Sequence, residues 1–537
     1  MIAGPSRSIG CKGSAMEPSF PETVEPEFDR RTLLSLAAFA IGGTSISGIG
    51  HAAGRTSDIV GMGAVPLRDA IRARKLSCVE VMNAYLDQIE AVNPTVNAIV
   101  SLQDRAGLVK QAEARDAQIL RKEAIGPLHG LPHAAKDLVA VAGLPFTAGS
   151  PIFKDRIAKA DVVQAARLRN AGVVFVGKTN TPEFGLGSHT FNPVFGATRN
   201  AYDPSKSAGG SSGGAAVGLA LHMLPLADGS DYGGSLRNPA GWNNVYGFRT
   251  SIGRVPATAR DVWLPTMGVT GPMARNVRDL ALLLAVQAGY DAGSPLSMES
   301  GGGQFQQPLH AEMKGKRIAW AGDFNGAIPY ESGVLDLCRN ALKSFEDLGC
   351  HVEEACPVYP VDKAWNSFVK LRGWQQGGGI VDLYNDPARR ALLKPEAVYE
   401  VEQGLGLSAF DVTAHSVIRS EWSEAVRTFF QRYDFWIMPT AQTFPFDVDQ
   451  RWPSEIAGHK MNTYHEWMKA VCLVTMSGCP ALAAPAGFAS NGLPMGIQII
   501  APVHAEIECL QLALAYEAAS QTRLSRFPPL LGRSRRT

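Results

Sequence analysis

From residue 78 onward apolar positions return every three or four residues: Val81, Met82, Tyr85, Leu86, Ile89 and Val92 fall on one face of a helix. Ser77-Cys78-Val79-Glu80, just before them, has the form of a capping box, in which serine hydroxyl and glutamate carboxylate satisfy each other's free backbone N–H groups. The spacing predicts a helix that starts there and ends at Asn93-Pro94. A second, more polar helix is expected over 104–121. After residue 130 the pattern changes. Short apolar runs alternate with helical spacing, so that 173–176 and 317–320 read as strands and 162–170 and 277–288 as helices. That alternation predicts an α/β architecture with a largely covered sheet. The stretch 291–307, rich in glycine, serine and glutamine, reads as a surface excursion within one fold, because sheet-like patterning resumes at Lys316. No internal repeat is visible.

Composition narrows the classes. The 537 residues are 45% hydrophobic and 19% charged, which suits a globular chain able to bury a large core and makes disorder a poor default. Lysine and arginine total 51 against 50 acidic residues, so no charge excess calls for nucleic acid or an acidic membrane as obligatory partner. A small neutral substrate fits better. The eight cysteines form no C-x-x-C pair, and none of the 11 histidines falls in an H-E-x-x-H or H-x-H pattern. Neither a zinc cluster nor a dense disulfide framework is suggested.

Near the amino terminus, Asp29-Arg30-Arg31-Thr32-Leu33-Leu34 leads into a weakly apolar run broken by glycine and serine and followed by His51-Ala52-Ala53. Paired arginines in this position resemble a twin-arginine export signal, although Asp29 stands where serine or threonine is usual. The run 33–49 is short and glycine-rich for a spanning helix, so stable membrane insertion is not expected. A frayed extension or an anchor is the alternative. The expected organisation is an export signal and extension over 1–53, cleaved near Ala52 or Ala53, and a single catalytic domain over 57–530; Met16 is a candidate alternative start.

The densest chemistry lies in Ser207-Ala208-Gly209-Gly210-Ser211-Ser212-Gly213-Gly214 and in Asp228-Gly229-Ser230-Asp231-Tyr232-Gly233-Gly234-Ser235-Leu236-Arg237-Asn238-Pro239-Ala240. A phosphate-binding loop would need a lysine followed by serine or threonine after the glycines, and there is none. The G-x-S-x-G pattern of a nucleophile elbow is met formally, but the polar, proline-broken Asp203-Pro204-Ser205-Lys206-Ser207 precedes it instead of a buried strand. A glycine-rich turn without chemistry is the third reading, and the company of the block argues against it. Leu128-His129-Gly130-Leu131-Pro132-His133-Ala134-Ala135-Lys136-Asp137-Leu138 sets one lysine in apolar surroundings. Gly177-Lys178-Thr179-Asn180-Thr181-Pro182-Glu183-Phe184, Gly271-Pro272-Met273-Ala274-Arg275, Met438-Pro439-Thr440, Gly478-Cys479-Pro480-Ala481 and Gly492-Leu493-Pro494-Met495-Gly496-Ile497-Gln498 follow in order.

These motifs resemble the amidase signature family over roughly 65–527. The resemblance implies a large, mixed, twisted β-sheet covered on both faces by helices, and hydrolysis of an amide carbon–nitrogen bond through an acyl-enzyme. It implies Ser235 as nucleophile, Ser211 as proton bridge after a cis peptide bond, and Lys136 as general base. No histidine is needed. A lysine serves as a base near neutral pH only where burial or a neighbouring charge lowers its pKa. Backbone N–H groups of Tyr232, Gly233, Gly234 and Ser235 are the expected oxyanion donors. Ser212 is expected to support the bridge by a hydrogen bond, and a buried Asp231–Arg237 ion pair to hold the loop rigid. Tyr232, where the family usually has a small residue, and Trp242 are candidate pocket residues for a bulky or aromatic acyl group.

The same resemblance implies no cofactor and no metal. The expected partner is a small amide, with neither nucleic acid nor an inserted membrane, and a homodimer is left open. Three other functions stay in view: a carbamate or ester hydrolase on the same triad, the glutaminase subunit of an amidotransferase, and a non-catalytic periplasmic binding protein. The export signal speaks against the second and the intact triad against the third. The expected location is the periplasm or outside the cell.

Overall fold

The structure, a computed structural model, describes residues 58–257, 261–264, 266–522 and 525–532. The segment expected to carry an export signal, and Met16, lie outside the described residues. All described residues belong to one compact unit.

The Ser77 hydroxyl accepts the Glu80 N–H while the Glu80 carboxylate accepts the Ser77 N–H, so the capping box forms as the sequence predicts. The helix it opens, Cys78–Val96, runs past Pro94, which the pattern makes its end. Proline here removes one hydrogen bond in the last turn only. The Asn93 carboxamide oxygen then accepts from Ala98 and Ile99, and left-handed Asn97 terminates the helix. The polar helix is Arg105–Leu120, capped by Asp104.

Two sheets position the chemistry. The smaller joins β1 (Ile99–Val100), β2 (Pro132–Lys136) and β3 (Val174–Thr179) in the order β1-β3-β2, with β2 and β3 parallel. The larger contains β4 (Ala227–Asp231), β5 (Tyr246–Arg249), β6 (Val269–Ala274), β7 (Arg317–Trp320), β8 (His351–Glu354), β9 (Phe435–Pro439), β10 (Ala481–Phe488) and β11 (Pro494–Ile500). Their order is β8-β7-β9-β11-β10-β5-β6-β4. Pairing is parallel at β8/β7 and β7/β9 and antiparallel elsewhere, so the sheet is mixed. Every residue of β5, β9 and β11 is buried; since side chains alternate between faces, both faces are covered. This is the α/β architecture that the alternating pattern implies.

The stretch 291–307 is less of an excursion than its composition suggests. Its end forms the turn Gly302–Gln306, which packs onto the helix Val277–Gln287 and buries Phe305. A Cβ at Gly302 would lie 1.8 Å from the Ala285 carbonyl oxygen, so glycine here permits a close approach and not looseness.

Candidate active site

Lys136 ends β2 and is wholly buried. Its Nζ lies 2.7 Å from Ser211 Oγ, 2.9 Å from Ser212 Oγ and 3.1 Å from Ser230 Oγ, so an ammonium here would donate one hydrogen to each of three hydroxyls. Burial lowers the Lys136 pKa to about 7, against the opposing pull of Asp228 and Asp231. The amine is therefore substantially deprotonated at neutral pH, and a neutral amine accepts from Ser211.

Ser211 and Ser212 precede the helix Gly213–Ala220, and the Gly210–Ser211 peptide bond is cis. The two hydroxyls are nearly equidistant from the lysine, and their surroundings differ. The Ser212 hydroxyl turns toward β4, reaching the Ser230 carbonyl at 3.4 Å, and its backbone N–H donates to the Ser235 carbonyl at 3.2 Å. Ser211 lies beside Gly185, where a Cβ would be 3.5 Å from its Oγ. Gly209 has a φ of +73°, and a Cβ there would meet Asn238 Oδ1 at 2.7 Å. The glycines of the block thus let two buried segments touch.

Ser235 is buried in the turn that leaves β4. Asp231 organises that turn. Its carboxylate accepts from Gly234 N–H at 3.0 Å and Leu236 N–H at 3.1 Å, and from both Nε and Nη2 of Arg237 at 2.9 Å. The expected ion pair is present, with both side chains fully buried. Arg249 joins it, donating at 2.7 Å to the Asp231 carbonyl and at 3.3 Å to its carboxylate. Burial alone would raise the Asp231 carboxyl; the two guanidiniums hold it well below the usual carboxylate range.

The arrangement corrects one expected oxyanion donor. Gly234 N–H is engaged by Asp231, so it cannot point at an oxyanion; among the described residues no side chain accepts from the N–H groups of Tyr232, Gly233 or Ser235. Gly234 instead shapes the loop. Its φ is +95°, and a Cβ would fall 2.4 Å from Val471 Cγ2.

Tyr232 is half-buried, its hydroxyl donating to Gln375 Oε1 at 2.7 Å, with the Arg372 guanidinium 5.0 Å from the ring centroid. Trp242 is a correction. It is sealed in the core, stacked on Trp467 at 5.6 Å, its indole N–H donating to the Thr443 carbonyl at 3.0 Å. Nearness to Ser235 in sequence does not bring it to the pocket, because the helix Arg237–Trp242 carries it inward. Apolar surface close to Ser211 comes from elsewhere. Leu186, Leu383, Leu393 and Ala397 form a separate cluster with half-buried Phe184, Ile380 and Tyr384, and Phe184 and Leu186 flank Gly185 beside Ser211.

Sequence reasoning also missed Ser230, Arg249 and the Arg372–Glu400–His465 network, in which Glu400 accepts from Arg372 at 2.7 Å and lies 2.8 Å from His465 Nε2. Ser230 lies within the second glycine-rich motif, and its place two residues after Asp228, on the same face of β4, is the signal that could have found it. The others come from distant strands and helices and carry no local signal. Among the described residues no group of three His, Cys, Asp or Glu side chains converges to hold a metal, and no helix is long and apolar enough to cross a membrane.

A family model described as Amidase matches residues 80–510. An acylamidase of Rhodococcus erythropolis is 34% identical over 468 residues, 85% of this chain and 95% of its own length. A glutamyl-tRNA(Gln) amidotransferase subunit of Acidothermus cellulolyticus is 32% identical over 496 residues, 88% of this chain and 96% of its own. Among solved structures, a bacterial aryl acylamidase of the amidase signature family superposes with a TM-score of 0.80 at 29% identity, covering 87% of this chain and 99% of that one. A fold shared along most of this chain and nearly all of the other, and a family match over most of this one, leave no room for chance: the chain belongs to the amidase signature family and is an amidase, a hydrolase of amide carbon–nitrogen bonds.

Proposed function

We propose that Ser235 attacks the amide carbonyl carbon while its hydroxyl proton passes through Ser211 to Lys136. The observation that carries this reading is a buried lysine amine 2.7 Å from Ser211 Oγ, with its pKa lowered to about 7 by burial. Negative charge gathers on the carbonyl oxygen, where the N–H groups of Tyr232, Gly233 and Ser235 receive it; losing one such donor typically costs about a hundredfold or more in rate. Protonated Lys136 then returns its proton through Ser211 to the leaving nitrogen, and the carbon–nitrogen bond breaks. Water attacks the acyl-enzyme by the same route in reverse. Ser212 and Ser230 hold the lysine between steps, and the Asp231–Arg237–Arg249 cluster keeps the loop in shape.

The substrate we infer is an amide with an apolar or aromatic portion. The apolar cluster beside Gly185 and the Tyr232 ring supply matching surface, and the similarity to an acylamidase and an aryl acylamidase supports the same class. A panel of anilides, aliphatic amides, carbamates, esters and primary amides such as glutamine tests it. Anilides with apolar acyl groups are expected to have the highest kcat/KM, with no turnover by Ser235→Ala. Preference for glutamine with ammonia release would contradict the reading and favour the amidotransferase-type function.

A further inference from the structure

Lys136 has three hydroxyls around its amine and, among the described residues, no carboxylate in contact with it. Of the two carboxylates whose charge reaches it, Asp231 is already paired with Arg237 and Arg249. Asp228 is paired with no arginine among the described residues. It lies on β4, 1% exposed, and its Oδ2 accepts the Lys136 backbone N–H at 3.4 Å. Its Oδ1 is 2.8 Å from Nε2 of His133, which is equally buried on β2 three residues before the lysine. A carboxylate only accepts, so Nε2 of the imidazole carries the proton in this contact and donates it to Asp228. The Phe175 ring packs against the imidazole in a T-shaped arrangement, centroids 5.8 Å apart.

Few other charges compete. The helix Gly213–Ala220 carries no ionisable side chain. On β3, Lys178 reaches away to the Val139 carbonyl, where Asp137 and Asp228 also act on it. Cys78, which begins the helix Cys78–Val96 and packs beneath Gly130, is held neutral because burial pushes its thiol up.

We propose that Asp228, fixed by His133, is a positioning residue that sets how tightly Lys136 holds its proton. This rests on the reading of Lys136 as the base. Burial makes the amine a weak base and Asp228 restores part of its strength, so that Lys136 can both take the Ser235 proton and deliver it to a leaving nitrogen. A buried polar pair of this kind has no obligatory place in packing, since apolar residues of similar shape can replace such a pair at little cost.

The test is the rate of Ser235 labelling by a fluorophosphonate as a function of pH, followed by intact mass. Labelling forms the Oγ–phosphorus bond, expels fluoride and hands the hydroxyl proton to Lys136, so its acid limb reports the lysine. In wild type the limb is expected near 7. In Asp228→Asn, and in the packing control His133→Phe/Asp228→Leu, it is expected to move to lower pH by about one unit or more, as befits loss of a nearby buried negative charge. The plateau rate is expected to fall about threefold per unit of that shift, as for a weaker base. A limb that stays in place in either folded variant overturns the proposal while leaving the base assignment standing. A wild type that labels without an acid limb near 7 overturns the base assignment itself.

Discussion

At the scale of the single residue, the cost and the use of Lys136 are the same fact. Its pKa is about 10.5 in an exposed chain and about 7 when buried, so the unfolded state binds more protons than the folded state between those values. Stability contributed at this site is therefore lowest at and below pH 7 and recovers as pH rises toward 10.5. Lys136→Met should abolish turnover and raise Tm, with a larger gain at pH 6 than at pH 9; scanning calorimetry at the two pH values checks it. A Tm that falls in this variant at both pH values would mean that the lysine is a structural group. Adjacency in GGSSGG makes the two serines equivalent in sequence; in the structure the Ser212 hydroxyl reaches the Ser230 carbonyl, while Ser211 Oγ lies beside Gly185.

At the scale of the element, the turn after β4 is held by one carboxylate serving two backbone N–H groups and two arginines. Removing its charge leaves Arg237 and Arg249 buried without a counter-ion, which in such settings costs about 3 to 5 kcal/mol. Asp231→Asn should lose stability on that order in chemical denaturation and lose amidase activity in the fraction that still folds. Wild-type stability and rate would sink the structural role given to the cluster. How much of this was legible follows the physics of each part. Lys136, Ser211, Ser235 and the Asp231–Arg237 pair sit in short motifs, where backbone geometry and chemistry are set by near neighbours. Arg249 reaches Asp231 across two strand pairings, β5 to β6 and β6 to β4, and nothing local announces that. Pro94 and Trp242 misled for the opposite reason: a proline is tolerated near the end of a helix, and proximity in sequence says little about which way a short helix turns a side chain.

At the scale of the whole molecule, the alternation of strand and helix spacing foretold an α/β architecture, and the mixed eight-stranded sheet, with helices covering it, is what that pattern produces. Strand order was not legible, because neighbours such as β9 and β11 or β5 and β10 are brought together by burial of apolar faces and not by chain proximity. The proposal that Arg30-Arg31 address the chain for export belongs to this scale too. Replacing both by lysine should shift the protein from the periplasmic to the cytoplasmic fraction of a bacterial host, read by immunoblot, and an unchanged distribution would contradict it. The measurement that tests the central claim most directly is intact-protein and peptide mass after exposure to a fluorophosphonate at pH 8. One adduct per chain, mapped to Ser235, lost in Ser235→Ala and strongly slowed in Lys136→Ala, is the result expected; an adduct on another residue, or equal labelling of Ser235→Ala, would contradict the account.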